Sequence, residues 1–280
     1  MLSIACKRLM WCMFLVTTPL HANQNDGEMV VRFSAPAHDY ITELVVLALD
    51  KSGLKYRCET TNNVTSQTRA VRLLGDENGI DLSWHVTSKQ LEQQAHAVLI
   101  PLDKGLLGYR IALVAEKNRA IFQNVRSQFD LERFNFGLGF DWADLAIFRA
   151  NNLITTEISD ETKQQDMLRL GRFDALPLSI LEMDESSLLP GLIYEPNLVI
   201  QYPAATYFFV AKNNDVLHHA LTLGLTLAQQ DGSWQQLFDK HFKSLLKKAN
   251  LSQRKVIRLK NHLLPASAPL EQKQYWYPSS

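Results

Sequence analysis

Two aspartates occupy equivalent places in two copies of one local pattern, so a paired-carboxylate reaction is the first chemistry to weigh. Asp81 lies in Gly79-Ile80-Asp81-Leu82-Ser83-Trp84 after Arg72-Leu73-Leu74-Gly75, and Asp174 lies in Leu168-Arg169-Leu170-Gly171-Arg172-Phe173-Asp174-Ala175-Leu176-Pro177. Both follow a helical stretch that ends in Gly and both open an apolar strand. That placement argues for binding of local backbone amides and against acid-base work. Residues 23–280 contain no Gly-x-Ser-x-Gly, no His-Glu-x-x-His and no Ser-x-x-Lys with partners. His218 and His219 are adjacent on a helix and point in different directions, which rules out two metal ligands on one face. Cys58 stands alone within Tyr56-Arg57-Cys58-Glu59-Thr60 and reads as a small strand residue before a nucleophile. No catalytic set, metal site or cofactor is expected, and no enzyme.

Binding is the better prospect. In alternating α/β sheets ligands sit at the carboxyl ends of strands. In the first half those ends bring up Tyr40, Trp84, His85 and Thr87. The rings of Tyr40 and Trp84 stack on a flat ligand or else belong to a lobe core, and His85 donates to an anion or simply faces water. In the second half, Gly139-Phe140-Asp141-Trp142 passes from a strand into a helix, whose free N–H groups suit an anion. Asp141 would cap that helix, and Trp142 is the ligand candidate. Arg110, on a strand between the halves, can reach a ligand or an acid across the gap, and Glu182 is its candidate partner.

The elements that must hold these residues alternate. Val30–Ser34 is strand-like; Asp39 starts a helix with Ile41, Leu44, Val45, Ala48 and Leu49 on one face, stopped by Gly53. Strand Lys55–Thr60, helix Thr65–Leu74, strand Ile80–Trp84, helix Ser88–Gln94 and strand Ala97–Leu102 complete a first lobe. Strand Gly108–Ala115, a mostly helical Ala120–Arg133, strand Phe134–Gly137, a helix from Asp141, strand Ile154–Ile158, helix Asp160–Leu170 and strand Phe173–Leu176 build the second. Leu192–Tyr194, Leu198–Tyr202 and Tyr207–Ala211 lead back, and helix Asp215–Gln230 carries Leu217, Ala220, Leu221, Gly224 and Ala228 on one face. The expected fold is α/β with two mixed sheets flanked by helices: residues 29–106 and 206–245 form lobe 1, residues 107–205 lobe 2, and two crossover strands join them. Residues 246–280, with Pro265, Pro269, Pro278 and Tyr275-Trp276-Tyr277, are expected to pack on the body as an extension.

The chain has 280 residues, 46% hydrophobic and 21% charged, enough for a core in each lobe. Its formal net charge is zero, so neither nucleic acid nor an anionic membrane is favoured as a partner. Lys7 and Arg8 precede the apolar run Leu9–Val16, then Thr17-Thr18-Pro19-Leu20-His21-Ala22, the order of a secretory signal peptide over residues 1–22. The expectation is a monomer exported to the periplasm, closing on a small polar or aromatic solute. The competing reading is a ligand sensor that acts on a membrane partner in trans.

With Asp231-Gly232-Ser233-Trp234-Gln235-Gln236-Leu237-Phe238-Asp239-Lys240-His241-Phe242 and the two Gly-to-Asp strand entries in this order, residues 29 to 245 resemble the periplasmic solute-binding proteins of amino-acid ABC transporters, family 3 of the extracellular binders with the type II fold. The segments Lys104–Arg110, Trp142-Ala143-Asp144 and Asn261-His262-Leu263-Leu264-Pro265 are similar to those of a divergent stand-alone group. The resemblance implies ABC-type uptake with a permease partner. It also implies a carboxylate-binding Arg where this chain has Gln90, and an ammonium-binding acid where it has Leu178 and Ser179. With both clamps missing, a buried amino acid would lack the partners that offset desolvation of its charges.

Overall fold

The computed structural model describes residues 27–34, 39–61 and 67–278; residues 1–22, expected as a signal peptide, lie outside these. Strand β1 (Met29–Ser34) buries alternate residues, and α1 (Asp39–Ser52) buries Tyr40, Leu44, Val45, Ala48 and Leu49 before Gly53 ends it at positive φ. Next come β2 (Tyr56–Thr61), α2 (Gln67–Leu73), β3 (Leu82–Val86), α3 (Lys89–Gln94) and β4 (His96–Val98). Together with β11 (Thr206–Val210) these strands form one mixed sheet in the order β2-β1-β3-β11-β4. Helix α6 (Asp215–Gln230) lies against α1 through Gly224, where a Cβ would sit 1.7 Å from the Ala48 carbonyl oxygen.

The second sheet runs β12-β10-β5-β8, from β5 (Tyr109–Ala115), β8 (Leu176–Ser179), β10 (Leu198–Gln201) and β12 (Lys255–Arg258), with β9 (Leu192–Tyr194) also on β5. Strands β6 (Asn135–Gly139) and β7 (Ile154–Ile158) pair in parallel and continue it through a bridge from Phe136 to Ala175. Helices α4 (Ala143–Ala150) and α5 (Gln164–Arg169) cover this half. The chain crosses between the sheets twice, at residues 99–108 and 202–205, and the crossings are bonded to each other by Tyr202 N–H to Gly108 O at 3.1 Å and Leu102 N–H to Thr206 O at 2.9 Å. The fold is a two-lobed α/β architecture with mixed sheets and helices around them.

Three local expectations give way. Residues 120–133 are turns plus a single 3-10 turn at Gln128–Leu131, because the Asp130 carboxylate takes the N–H groups of Arg126 and Ser127, each at 2.8 Å, away from a continuous helix. The strand expected over Ala97–Leu102 stops at Val98, ahead of Pro101, which has no N–H to pair. Asp141 does not cap α4; Trp142 occupies the N-cap position without a side-chain cap bond.

The lobes touch behind the crossings. Helix α7 (Ser233–Ala249) runs beyond residue 245, and its Trp234 and Phe238 share a buried cluster with Tyr109, Ile111 and Val199 of the second sheet and Ile180 just after β8. The tail does more than pack: β12 adds a parallel edge to β10. None of the helices among the described residues is long and apolar enough to cross a membrane.

Candidate functional site

On the other side of the crossings the lobes enclose a cavity of about 350 Å³. Lobe 1 contributes the end of β3, Val86, Thr87 and Ser88; Ser88 caps α3 by accepting from Leu91 N–H at 3.2 Å. The Thr87 N–H donates to Ala205 O at 2.9 Å and its hydroxyl donates to Glu92 Oε1 at 2.6 Å, leaving the Thr87 oxygen as an acceptor. Lobe 2 contributes Asp141, Trp142, Ala143 and Asp144 beyond β6, and Glu182 beyond β8. Arg110, Tyr202 and Ala204 form the floor, and Asn261 and Leu263 of the tail reach the wall.

A buried charged triad makes that floor. The Arg110 Nε lies 2.8 Å from the Tyr202 hydroxyl and 2.9 Å from Asp144 Oδ1, and a terminal nitrogen donates to Asp144 Oδ2 at 3.0 Å. Tyr202 donates its own proton to Asp144. Burial by itself would lower the Arg110 pKa, but the facing Tyr202, Asp144 and Glu182 outweigh it and raise it, so the guanidinium stays charged. Burial likewise pushes the Tyr202 phenol upward, keeping it a neutral donor. Glu182 is half exposed, 3.6 Å from Arg110, and accepts from Ser179 N–H at 2.8 Å. Of the charged groups lining the cavity, one cation faces three carboxylates, and that cation is bidentate to one of them.

The cavity brings together Thr87, Arg110, Trp142 and Glu182 from the sequence-predicted set. Gly139 sits just behind: a Cβ there would lie 2.5 Å from the Trp142 indole nitrogen, so the residue makes room for the ring. Tyr40 is only 4% exposed and is a core residue, donating to Leu102 O at 2.6 Å and accepting from Trp234 Nε1 at 3.0 Å. It borders a separate cavity behind the crossings, with Asp103, Thr206 and Phe242. Trp84 is half-buried edge-on to Phe33, and His85 faces Phe209; neither lines the cleft. Gln90 is exposed on α3. Asp81 accepts from Arg32 N–H at 2.9 Å and Asp174 from Asn135 N–H at 2.8 Å, so each ties down backbone. Asp144, Tyr202, Asn261 and Leu263 escaped the sequence reading. Asp144 had a signal, an acid at the i−3 and i−4 position to the buried Ile147 and Phe148 of α4.

A buried and a half-buried titratable group near the crossings oppose each other in pH. Burial raises the Asp103 carboxyl from 3.8 to about 6, although Gly105 N–H donates to it at 2.9 Å, and burial lowers His85 from 6.5 to about 4. The Asp103 contribution to stability is whole below 3.8 and is lost as pH rises through about 6; that of His85 is whole above 6.5 and is lost as pH falls through about 4. Urea unfolding at pH 4.5 and 6.5 should therefore show Asp103→Asn gaining on the wild type at the higher pH. His85→Phe should gain at the lower one. Parallel curves for all three proteins would refute the assignment.

No family model matches the chain, and neither does any curated protein. Solved structures do. A Bacillus subtilis protein, YckB, is 17% identical and aligns with 83% of this chain and 97% of its own at a TM-score of 0.51. The second substrate-binding domain described for an amino-acid ABC transporter of Streptococcus pneumoniae is 14% identical, over 77% and 99% of the two chains, at 0.51. An ancestral cationic amino-acid solute-binding protein is 14% identical, over 78% and 96%, at 0.50. The chain thus has the two-lobed fold of the solute-binding proteins it is similar to.

Proposed function

We propose that the chain captures a small organic solute in the cavity between its lobes, for ABC-type uptake from the periplasm, and performs no chemistry on it. In this reading residues 1–22 are the export signal, and contacts made by both lobes favour the closed form when solute is bound. The observation that carries the reading is the cavity of about 350 Å³ at the ends of β3, β6 and β8, the place where such sheets hold ligands.

The triad narrows the solute. Arg110 is already bidentate to Asp144, so a ligand carboxylate would meet Asp141 and Glu182 with no free cation to pair it. Desolvating an unpaired ion costs several kcal/mol, on the order of the whole affinity of a micromolar complex. An amine or guanidinium group meets the opposite situation, with Asp141 and the half-exposed Glu182, shared with Arg110, as counter-charges, the Trp142 ring as a wall and the Tyr202 ring beneath. The proposed solute is an organic cation that does not depend on an α-carboxylate.

A thermal-shift panel tests this with amines and polyamines, guanidinium compounds, amino acids, sugars and dicarboxylates at constant ionic strength. Amine or guanidinium members should raise the melting temperature, and dicarboxylates should not. A response to dicarboxylates alone would contradict the charge argument.

A further inference from the structure

The tail after β12 does not end on one lobe. Leu259 N–H donates to Gln201 O at 2.9 Å, and Lys260 is gripped on both sides by the buried Asn151 side chain: its N–H donates to Oδ1 at 3.0 Å and its carbonyl accepts from Nδ2 at 2.8 Å. Asn261 then donates to Pro203 O at 2.8 Å, on the second crossing, and its Oδ1 accepts from Leu263 N–H at 2.9 Å. Leu264 packs on the lobe-1 patch of Leu91, Ala95, Tyr207 and Phe209. Ser267 donates to Glu92 Oε2 at 2.6 Å, and the other oxygen of the same carboxylate holds Thr87 of the cleft wall. Farther on, Trp276 lies over Gly105, a glycine at φ 75° whose Cβ would be 2.6 Å from the indole, and Tyr277 N–H donates to Lys104 O at 2.7 Å.

We propose that this segment is a strap that completes and restrains the cleft: Asn261 and Leu263 supply its third wall, and anchors on both lobes limit how far it opens. The proposal deepens the solute-binding reading and rests on it. Between the Lys260 anchor on lobe 2 and the Leu264 anchor on lobe 1 there are four residue steps, which fully extended span about 14 Å. Wider opening has to strip one anchor. Such a strap keeps the empty protein close to its closed form, so less ordering remains to be done when solute arrives. It also makes Asn261 and Leu263 determinants of which solutes fit, beside residues from the two lobes.

The restraint is measurable without any solute. Nitroxide labels at Lys89→Cys on α3 and Ala146→Cys on α4, both exposed, report the interlobe distance in a Cys6→Ser, Cys12→Ser, Cys58→Ser background, which removes every native thiol. The strapped protein should give one narrow distribution. A Gly-Ser-Gly-Ser insertion between His262 and Leu263 keeps both terminal anchors and adds up to about 14 Å of reach, and it should broaden the distribution toward longer distances. Asn151→Ala combined with Leu264→Ser, which releases both anchors, should do the same, whereas Glu271→Ala, exposed and outside the anchoring side chains, should match the parent. The insertion lies in a surface segment where added length costs little, so a folded sample is expected even if the double substitution is not. An unchanged distribution in the insertion variant overturns the strap. Because no solute is involved, that failure would leave the solute-binding reading standing, and a flat solute panel would leave the strap standing.

Discussion

Arg110→Met should lower the unfolding free energy at pH 7 by about 3–5 kcal/mol, the range seen when one member of a buried ion pair is removed. The loss comes from Asp144, which is 6% exposed and would be left with only the Tyr202 hydroxyl to answer it. One companion result separates this cause from a simple packing defect. The triple variant Arg110→Met, Asp144→Leu, Tyr202→Phe should recover most of the stability, since it removes all three polar partners together. Chemical denaturation of the single and triple variants checks both. A deficit with no recovery in the triple variant would show that the triad does not act as a unit.

Gly108→Ala should cost at least about 1–3 kcal/mol, the range for forcing a methyl into a packed site, and should also disable the cleft. The added Cβ would lie 2.0 Å from the Tyr202 carbonyl oxygen, a backbone atom that no side-chain rotation can move. The two crossings would have to separate, breaking the bond from Tyr202 N–H to Gly108 O and carrying the Tyr202 ring away from Arg110. A lower melting temperature together with loss of any solute-induced rise is expected. Unchanged solute response at reduced stability would mean that the crossings do not set the cleft geometry.

Local pattern carried much of the fold into view. Helix α6 spans the residues its periodicity predicts, Asp215–Gln230, and the two Gly-to-Asp units do place both aspartates against neighbouring backbone. The strand-end rule also pointed to Thr87, Trp142 and Glu182, which line one cavity. What stayed hidden depends on partners far away in sequence. Arg110 is decided by Asp144 and by Tyr202, 34 and 92 positions away. Tyr40 sits at a strand-to-helix junction like a ligand residue, yet Trp234 nearly two hundred residues later buries it. The tail reads from sequence only as an extension packing on the body, because the pairing of β12 with β10 leaves no periodic trace in four residues. Residues 120–133 have helical composition, and one aspartate, Asp130, diverts the backbone by taking its N–H groups.

The claim on which the account depends is that the space between the lobes accepts a small solute. The solute panel, read by thermal shift on the wild type and on Ala143→Phe, tests it most directly, because Ala143 is exposed at the cavity wall and a ring there fills the space without disturbing the triad. The account predicts that at least one amine or guanidinium compound stabilises the wild type in a saturable manner and that Ala143→Phe, folded and equally stable alone, loses the response. An equal response in the filled variant, or none from any member of the panel in the wild type, would contradict it.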